Sequence, residues 1–526
     1  MPIHKNPKIF PIGLCLLFLL MLVQPLASQR TATSRRGMVV APTPEAADAG
    51  LAILSQGGNA VDAAAASAFA LMVTDPVMCS LGGRSQILIH LKDGTFVGID
   101  GATQAPGYFF EPAGMGHGYR TCPVPGSPAA IEKMVENYGR LPLKVVMQPA
   151  IYLTQNGFTV KEDLFRAFQA NEKRLRLYPG TIRHLFKKDG SLYKTGESFV
   201  QPALAKTLKI ISEEGSRVLY KGRLAGAIAR DMEANSGLIR VKDLEEYRVR
   251  SGEIVVGSYR GHEIISRGGQ CDGASVIEIL HILEEFDLAS YAVKDPAYLH
   301  ILAQALYIGQ ADEYLPDWQQ VAKELAFRRA REIDREKVLP MPVKPAKREG
   351  GTNHLSVIDA EGNAVALTQS IGPSFGSKVV NPELGFFYAY SYDMNDDPVP
   401  FQREKTSQSP TFVFRDNAPF LVLGSAGSSR IVSSIVQTIV NIIDRGMTLE
   451  EAVSHPRLCL YEGELRLEAS QLPPSTLDRL KALGYRIRIY EKLDGWFGKV
   501  HALLNGPTIY GVADPRDFGA AKGLAD

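Results

Sequence analysis

The sequence predicts a large α+β protein. Three observations carry that reading: an alanine-rich pair of buried helices near the start, a long middle stretch of helical periodicity, and apolar strand pairs joined by turn-forming residues. Residues 44–56 read as a helix, with Pro44 in its first turn and Gly57-Gly58 beyond its end. Residues 61–73 read as a second helix whose small side chains allow close packing. Strands at 85–91 and 96–99 flank Lys92-Asp93-Gly94-Thr95, a hairpin signal. Residues 126–329 are mostly helical, with periodic segments at 204–214 and 275–285. Residues 330–351 break the pattern. They are rich in Lys, Arg, Glu and Pro, with little apolar periodicity, and read as an exposed linker. Directly after them, strands at 354–358 and 364–370 flank a turn containing Glu361-Gly362-Asn363. A polar segment running straight into a core hairpin suits a chain cut at that junction, and it equally suits an ordinary interdomain linker. Finally, a strand at 420–423 enters Gly424-Ser425-Ala426-Gly427-Ser428-Ser429 and an apolar helix over 431–443. Strand, small-residue loop and helix N-terminus make either an anion-friendly corner or a tight structural turn.

Charge and composition narrow the function classes. The 526 residues are 45% hydrophobic and 22% charged, ordinary for a globular protein. A net charge of +1 with no Lys/Arg run predicts no nucleic-acid partner. His4, Lys5 and Lys8 precede an apolar run over 9–23, followed by Ala27 and Ser28. This is the pattern of a secretory signal peptide over 1–28, and it predicts a secreted or periplasmic protein with no stable membrane span, the alternative being an uncleaved anchor. Cys79, Cys122, Cys271 and Cys459 match no zinc spacing; they permit three disulfide connectivities or remain free thiols. His354, His455 and His501 show no metal-ligand spacing and read as structural, so no metal or cofactor is expected.

An ordered set of short motifs goes further. Gly57-Gly58-Asn59-Ala60-Val61-Asp62-Ala63-Ala64, Leu81-Gly82-Gly83, Pro125-Gly126, Gly237-Leu238-Ile239, Asp243-Leu244 and Tyr259-Arg260-Gly261 lead to Thr352-Asn353-His354. Ser407-Gln408-Ser409-Pro410-Thr411, Gly424 to Arg430, and Asp514-Pro515-Arg516 follow. Over roughly 37–518 the chain resembles the γ-glutamyltranspeptidases. The resemblance implies a four-layer αββα N-terminal-nucleophile hydrolase and a precursor that cuts itself between Gly351 and Thr352. A large subunit, 29–351, and a small catalytic subunit, 352–526, would remain associated. Thr352 would be the nucleophile. A threonine hydroxyl needs a base within reach, and the α-amine freed by cleavage titrates near pH 8, so it serves. Ser370 matches a hydroxyl residue that bonds the nucleophile, where the family usually has Thr. The backbone N–H groups of Gly427 and Ser428 match the oxyanion hole, with Ser428 where a second Gly is usual. The implied substrate is a γ-glutamyl amide, with water or an amine as acceptor.

The resemblance weakens around the substrate. Ala102 stands where the family places a carboxylate-binding Arg, and Arg84 or Arg403 is a candidate replacement. Thr406 and Ser407 keep a hydroxyl clamp for that carboxylate. In the α-amine pocket Gly372 replaces an Asn, and Asp393 or Asp396 stands near the usual acidic position. These departures leave two other readings: the same mechanism on another acyl group, as in a glutaryl-type acylase or poly-γ-glutamate processing, and a non-catalytic binding protein that retains the fold.

Overall fold

The computed structural model describes residues 29–107, 116–311, 318–339, 350–396, 399–468 and 472–525. The predicted signal segment, 1–28, and most of the polar segment before Thr352, 340–349, lie outside the described residues.

Two antiparallel seven-stranded sheets form the centre. The first runs Thr31–Ser34, Ile509–Ala513, Lys499–Leu504, Ala418–Ala426, Thr411–Arg415, His262–Arg267, Ile254–Tyr259. The second runs Ala520–Gly523, Gly37–Ala41, Gly351–Asp359, Ala364–Gly372, Arg84–His90, Phe96–Gly101, Arg250–Ser251. Successive side chains of a strand point to opposite faces, and the packing follows that alternation. Met38, Val40, Ile358 and Leu88 of the second sheet meet Phe412, Val422 and Leu503 of the first in one apolar layer. Val39, Ala41, Leu355, Val357 and Ile87 turn the other way, onto the helices Pro44–Ser55 and Ala60–Thr74. On the far face of the first sheet, Val413, Leu421 and Leu423 pack against Gly273–Glu284, Pro296–Ala311 and Arg430–Ile443. Helices therefore cover both outer faces of a two-sheet sandwich.

The opening helices form where the sequence places them. The Thr43 hydroxyl accepts from the Ala46 N–H, with Pro44 in the first turn. Asn59 and Asp62 make a reciprocal capping box for Ala60–Thr74, a helix buried along its whole length. Two expectations change. The helical middle contains a hairpin, Ile254–Tyr259 with His262–Arg267, which completes the first sheet. Its alternation is interrupted by Gly257 and Arg260, which hides the period of two. The helix Trp318–Glu332 runs into the segment read as linker, and Ala330 and Ile333 are buried, so the polar stretch begins after Ile333.

The second sheet interleaves the two parts of the chain. Gly351–Asp359 pairs with Gly37–Ala41, and Ala364–Gly372 pairs with Arg84–His90. A break at residue 351 would leave the ladder hydrogen bonds of both strands across the two pieces. No helix among the described residues is long and apolar enough to cross a membrane. None of the four described cysteines is in a disulfide, and all four are buried.

Candidate active site

Thr352 is the second residue of the strand Gly351–Asp359 and is 6% exposed. Its neighbours are fixed on both faces. Toward the helices, the Asn353 amide donates to Asp75 Oδ2 at 2.9 Å and to Cys79 Sγ at 3.1 Å. Toward the first sheet, the His354 ring bonds the Thr368 hydroxyl at 2.8 Å and the Ser356 hydroxyl at 3.0 Å. Burial, with His501 nearby, holds the His354 pKa well below its ordinary value, so the ring is neutral and structural. Burial also raises Asp75 to about 6, against the lowering effect of the Asn353 hydrogen bond.

The pairing slips beside Thr352. Gly351 faces Gly372 and Asn353 faces Gln369, so Ser370 and Ile371 together oppose Thr352. This bulge aims the Ser370 hydroxyl at the chain just before the threonine. Ser370 Oγ donates to the Gly351 carbonyl at 2.5 Å and accepts from the Gly372 N–H at 3.0 Å. Ser370 is 3% exposed, so water cannot replace either bond freely. Gly351 has no room for a side chain: a Cβ there would lie 2.2 Å from Met78 Sδ and 3.3 Å from the Gly372 carbonyl oxygen.

The strand Ala418–Ala426 ends at Gly427, φ 136°, and Ser428, φ 57°, which turn the chain into the helix Arg430–Ile443. A Cβ on Gly350 would lie 3.7 Å from Ser428 Oγ and 3.5 Å from the Tyr392 hydroxyl. The turn therefore lies beside the segment carrying the Gly351–Thr352 bond.

Arg84 pairs directly with Ser370, on the face that also carries Gln86, and Gln86 accepts from Arg267 of the other sheet. Arg84 is 5% exposed, and its Nε and Nη1 have no hydrogen-bond partner. Its nearest charge is Glu404, with Nη1 to Oε1 at 3.8 Å. Glu404, also buried, accepts from the Tyr392 N–H at 3.0 Å and from the Ser391 hydroxyl. Arg403 is committed elsewhere: it stacks 4.5 Å over the Tyr247 ring and bonds Gln104, the Ala102 carbonyl, the Tyr247 hydroxyl and the Arg248 carbonyl. It pins the loop around Ala102 and has no fork to offer. Gly372 sits against Tyr390, leaving 3.0 Å between a Cβ and the Tyr390 oxygen. Asp393 accepts from the Lys405 N–H at 3.3 Å, and Asp396 lies on the same short turn, Asp393–Asp396. Thr406 Oγ1 accepts from the Gln408 N–H at 3.3 Å, and the Ser407 carbonyl from the Ser409 hydroxyl at 3.0 Å.

This arrangement matches known proteins along its length. A family model described as Gamma-glutamyltranspeptidase matches residues 46–524. The chain belongs to the γ-glutamyltranspeptidase family. The glutathione hydrolase proenzyme of Escherichia coli K12 is 33% identical, covering 92% of this chain and 91% of the relative. The acylase ACY 1 proenzyme of Pseudomonas sp. strain V22 is 35% identical, covering 94% and 95%. Among solved structures, the cephalosporin acylase of Bacillus halodurans superposes with a TM-score of 0.86 at 25% identity over the full length of both chains. Transpeptidase-family membership gives this chain a hydrolase or transferase role on amides, and relatives similar to it are named proenzymes.

Sequence reasoning missed Glu404, Asp75 and Met78. Glu404 is embedded in Arg403-Glu404-Lys405, which reads as a solvated charge run. The Asp75-Pro76 dipeptide after a buried helix was the only available signal for the second.

Proposed function

We propose that the protein is an exported, self-processing amidase that works through a Thr352 acyl-enzyme on acyl groups ending in a carboxylate, γ-glutamyl and glutaryl among them. The observation that carries this reading is the 2.5 Å bond from Ser370 to the Gly351 carbonyl, one residue before a buried threonine. Thr352 Oγ1 attacks that carbonyl carbon. The C–N bond breaks, the hydroxyl proton passes to the departing nitrogen, and an ester remains between Gly351 and Thr352. Water hydrolyses the ester, leaving a carboxylate on Gly351 and a free α-amine on Thr352. In turnover the α-amine takes the hydroxyl proton, Oγ1 adds to the substrate amide carbon, and the amine leaves protonated. Water or a second amine then releases the acyl group. In turnover the N–H groups of Gly427 and Ser428 stabilise the oxyanion of the tetrahedral states.

Arg84 holds the substrate carboxylate, with Thr406 and Ser407 beside it. A buried guanidinium with unpaired donors, on the same face as Ser370, supports this assignment. The amine side favours the glutaryl-type reading. Gly372 offers no side chain, Ser391 is bonded to Glu404, and Asp393 holds Lys405. A γ-glutamyl α-amine finds less there than the carboxylate finds at Arg84. The test is kcat/KM for γ-glutamyl, glutaryl and butyryl p-nitroanilides with wild type and Arg84→Ala. Charge-assisted hydrogen bonds contribute about 1.5–3 kcal/mol, so the two carboxylate-bearing substrates should lose roughly 10- to 100-fold. The butyryl substrate should be spared. An equal loss on all three, or none on any, removes Arg84 from this role.

A further inference from the structure

The helical layer over the first sheet holds a cavity of about 250 Å³ whose lining does not include Thr352. Tyr298, Leu299, Leu302, Leu458 and Leu467 make its walls apolar. Two hydrogen-bonding side chains on its wall have no partner among the described residues: the Asn441 amide, on a residue only 4% exposed, and the His455 imidazole. The polar atoms of both side chains are open to accessible space rather than sealed in the core, so an occupant of the cavity can bond them. The surrounding charge is positive. Arg445 stacks 4.0 Å over the Tyr298 ring, and Lys294 stands at the exposed mouth. Glu468, the one acid on the wall, is fully engaged by Arg516 and by the N–H groups of Arg457 and Asp494. Apolar walls with a few convergent polar groups are the usual make-up of a small-molecule site.

We infer that this cavity is a second ligand site, taking a small carboxylic acid whose apolar tail lies among the leucines and whose carboxylate meets Asn441 and His455. The site adjoins the catalytic corner. Arg457, on its wall, donates to the Gly498 carbonyl at 2.6 Å, and Gly498 Cα lies 2.9 Å from where a Cβ on Gly427 would stand. Asn441 rides on the helix Arg430–Ile443, which begins at the same turn.

Titration calorimetry of the full-length protein with octanoate tests the proposal. One octanoate should bind at this cavity per chain, and equally well to Arg84→Ala, which separates it from the carboxylate pocket proposed beside Thr352. Asn441→Leu should weaken binding about tenfold by removing a hydrogen bond to a charged group, and Leu302→Trp should abolish it by filling the space. Octylamine should not bind. Absence of saturable octanoate binding, indifference to both cavity variants, or equal binding of octylamine would overturn the inference.

Discussion

Removing the Ser370 hydroxyl tests the proposed self-cleavage before Thr352. The Ser370 Oγ–Gly351 O bond is 2.5 Å long and both residues are buried. In the proposed attack by Thr352 that carbonyl oxygen becomes an oxyanion, so Ser370→Ala deletes one preorganised donor at the point where charge develops. Loss of a single such donor costs on the order of 10²- to 10³-fold in rate. The Gly372 N–H also loses its acceptor, which costs about 1–3 kcal/mol of stability. A large domain tolerates that loss, so the variant should fold and be trapped largely as one chain. The assay is a gel time course of purified precursor, with near-ultraviolet circular dichroism to verify the fold. Ser370→Thr restores the hydroxyl and should recover most of the rate. Processing of Ser370→Ala at the wild-type rate would refute the reasoning, and so would a Thr variant as slow as the Ala variant.

Two further perturbations address the same corner. Gly351→Val drives a side chain into Met78 and against the Gly372 carbonyl, shifting the scissile bond off Ser370. Misplacement by about 1 Å costs on the order of a hundredfold, so gels should show slow cleavage, eased when Met78→Ala makes room. Asp75, raised to about 6 by burial, is more easily protonated in the folded protein than unfolded. Its contribution to stability is therefore present below about pH 4 and lost as pH rises through 6, and Asp75→Asn should be more stable than wild type at pH 8 by roughly 1–3 kcal/mol. Urea denaturation at pH 4 and pH 8 reads this out; a difference independent of pH would contradict it.

The elements that carry strong local signals were legible. Pro44 and the glycines after residue 56 mark the first helix, and the small apolar run over 61–73 marks the second, each within a residue or two of its ends. The strands flanking Thr352 extend a little past their apolar cores, because Gly351 and Gly372 pair despite having no side chains to pattern. The strand ending in Ala426 likewise runs three residues into what reads as a small-residue loop. The hairpin over 254–267 was not legible. Arg267 is buried there by bonding Gln86 across the sandwich, a contact between residues 181 apart in sequence. Long-range pairing also separates the surroundings of the two arginine candidates. Nothing local distinguishes Arg84 from Arg403, yet Tyr247 and Arg248 consume one, while the other keeps unpaired donors. Asp514-Pro515-Arg516, quoted above as a family signature, is structural. Arg516 joins Asp514 and Glu468 in a buried ionic cluster that Arg457 extends.

Thr352 becomes an N-terminal nucleophile only if the chain is cut before it. Intact mass and N-terminal sequencing of the purified protein test this. Two associated chains of roughly 35 and 19 kDa are expected, sharing the 57.5 kDa precursor by residue count after loss of the first 28 residues, with the smaller beginning Thr-Asn-His. Thr352→Ala should stay a single chain. A small chain that begins at any other residue, or normal two-chain processing of Thr352→Ala, would contradict it.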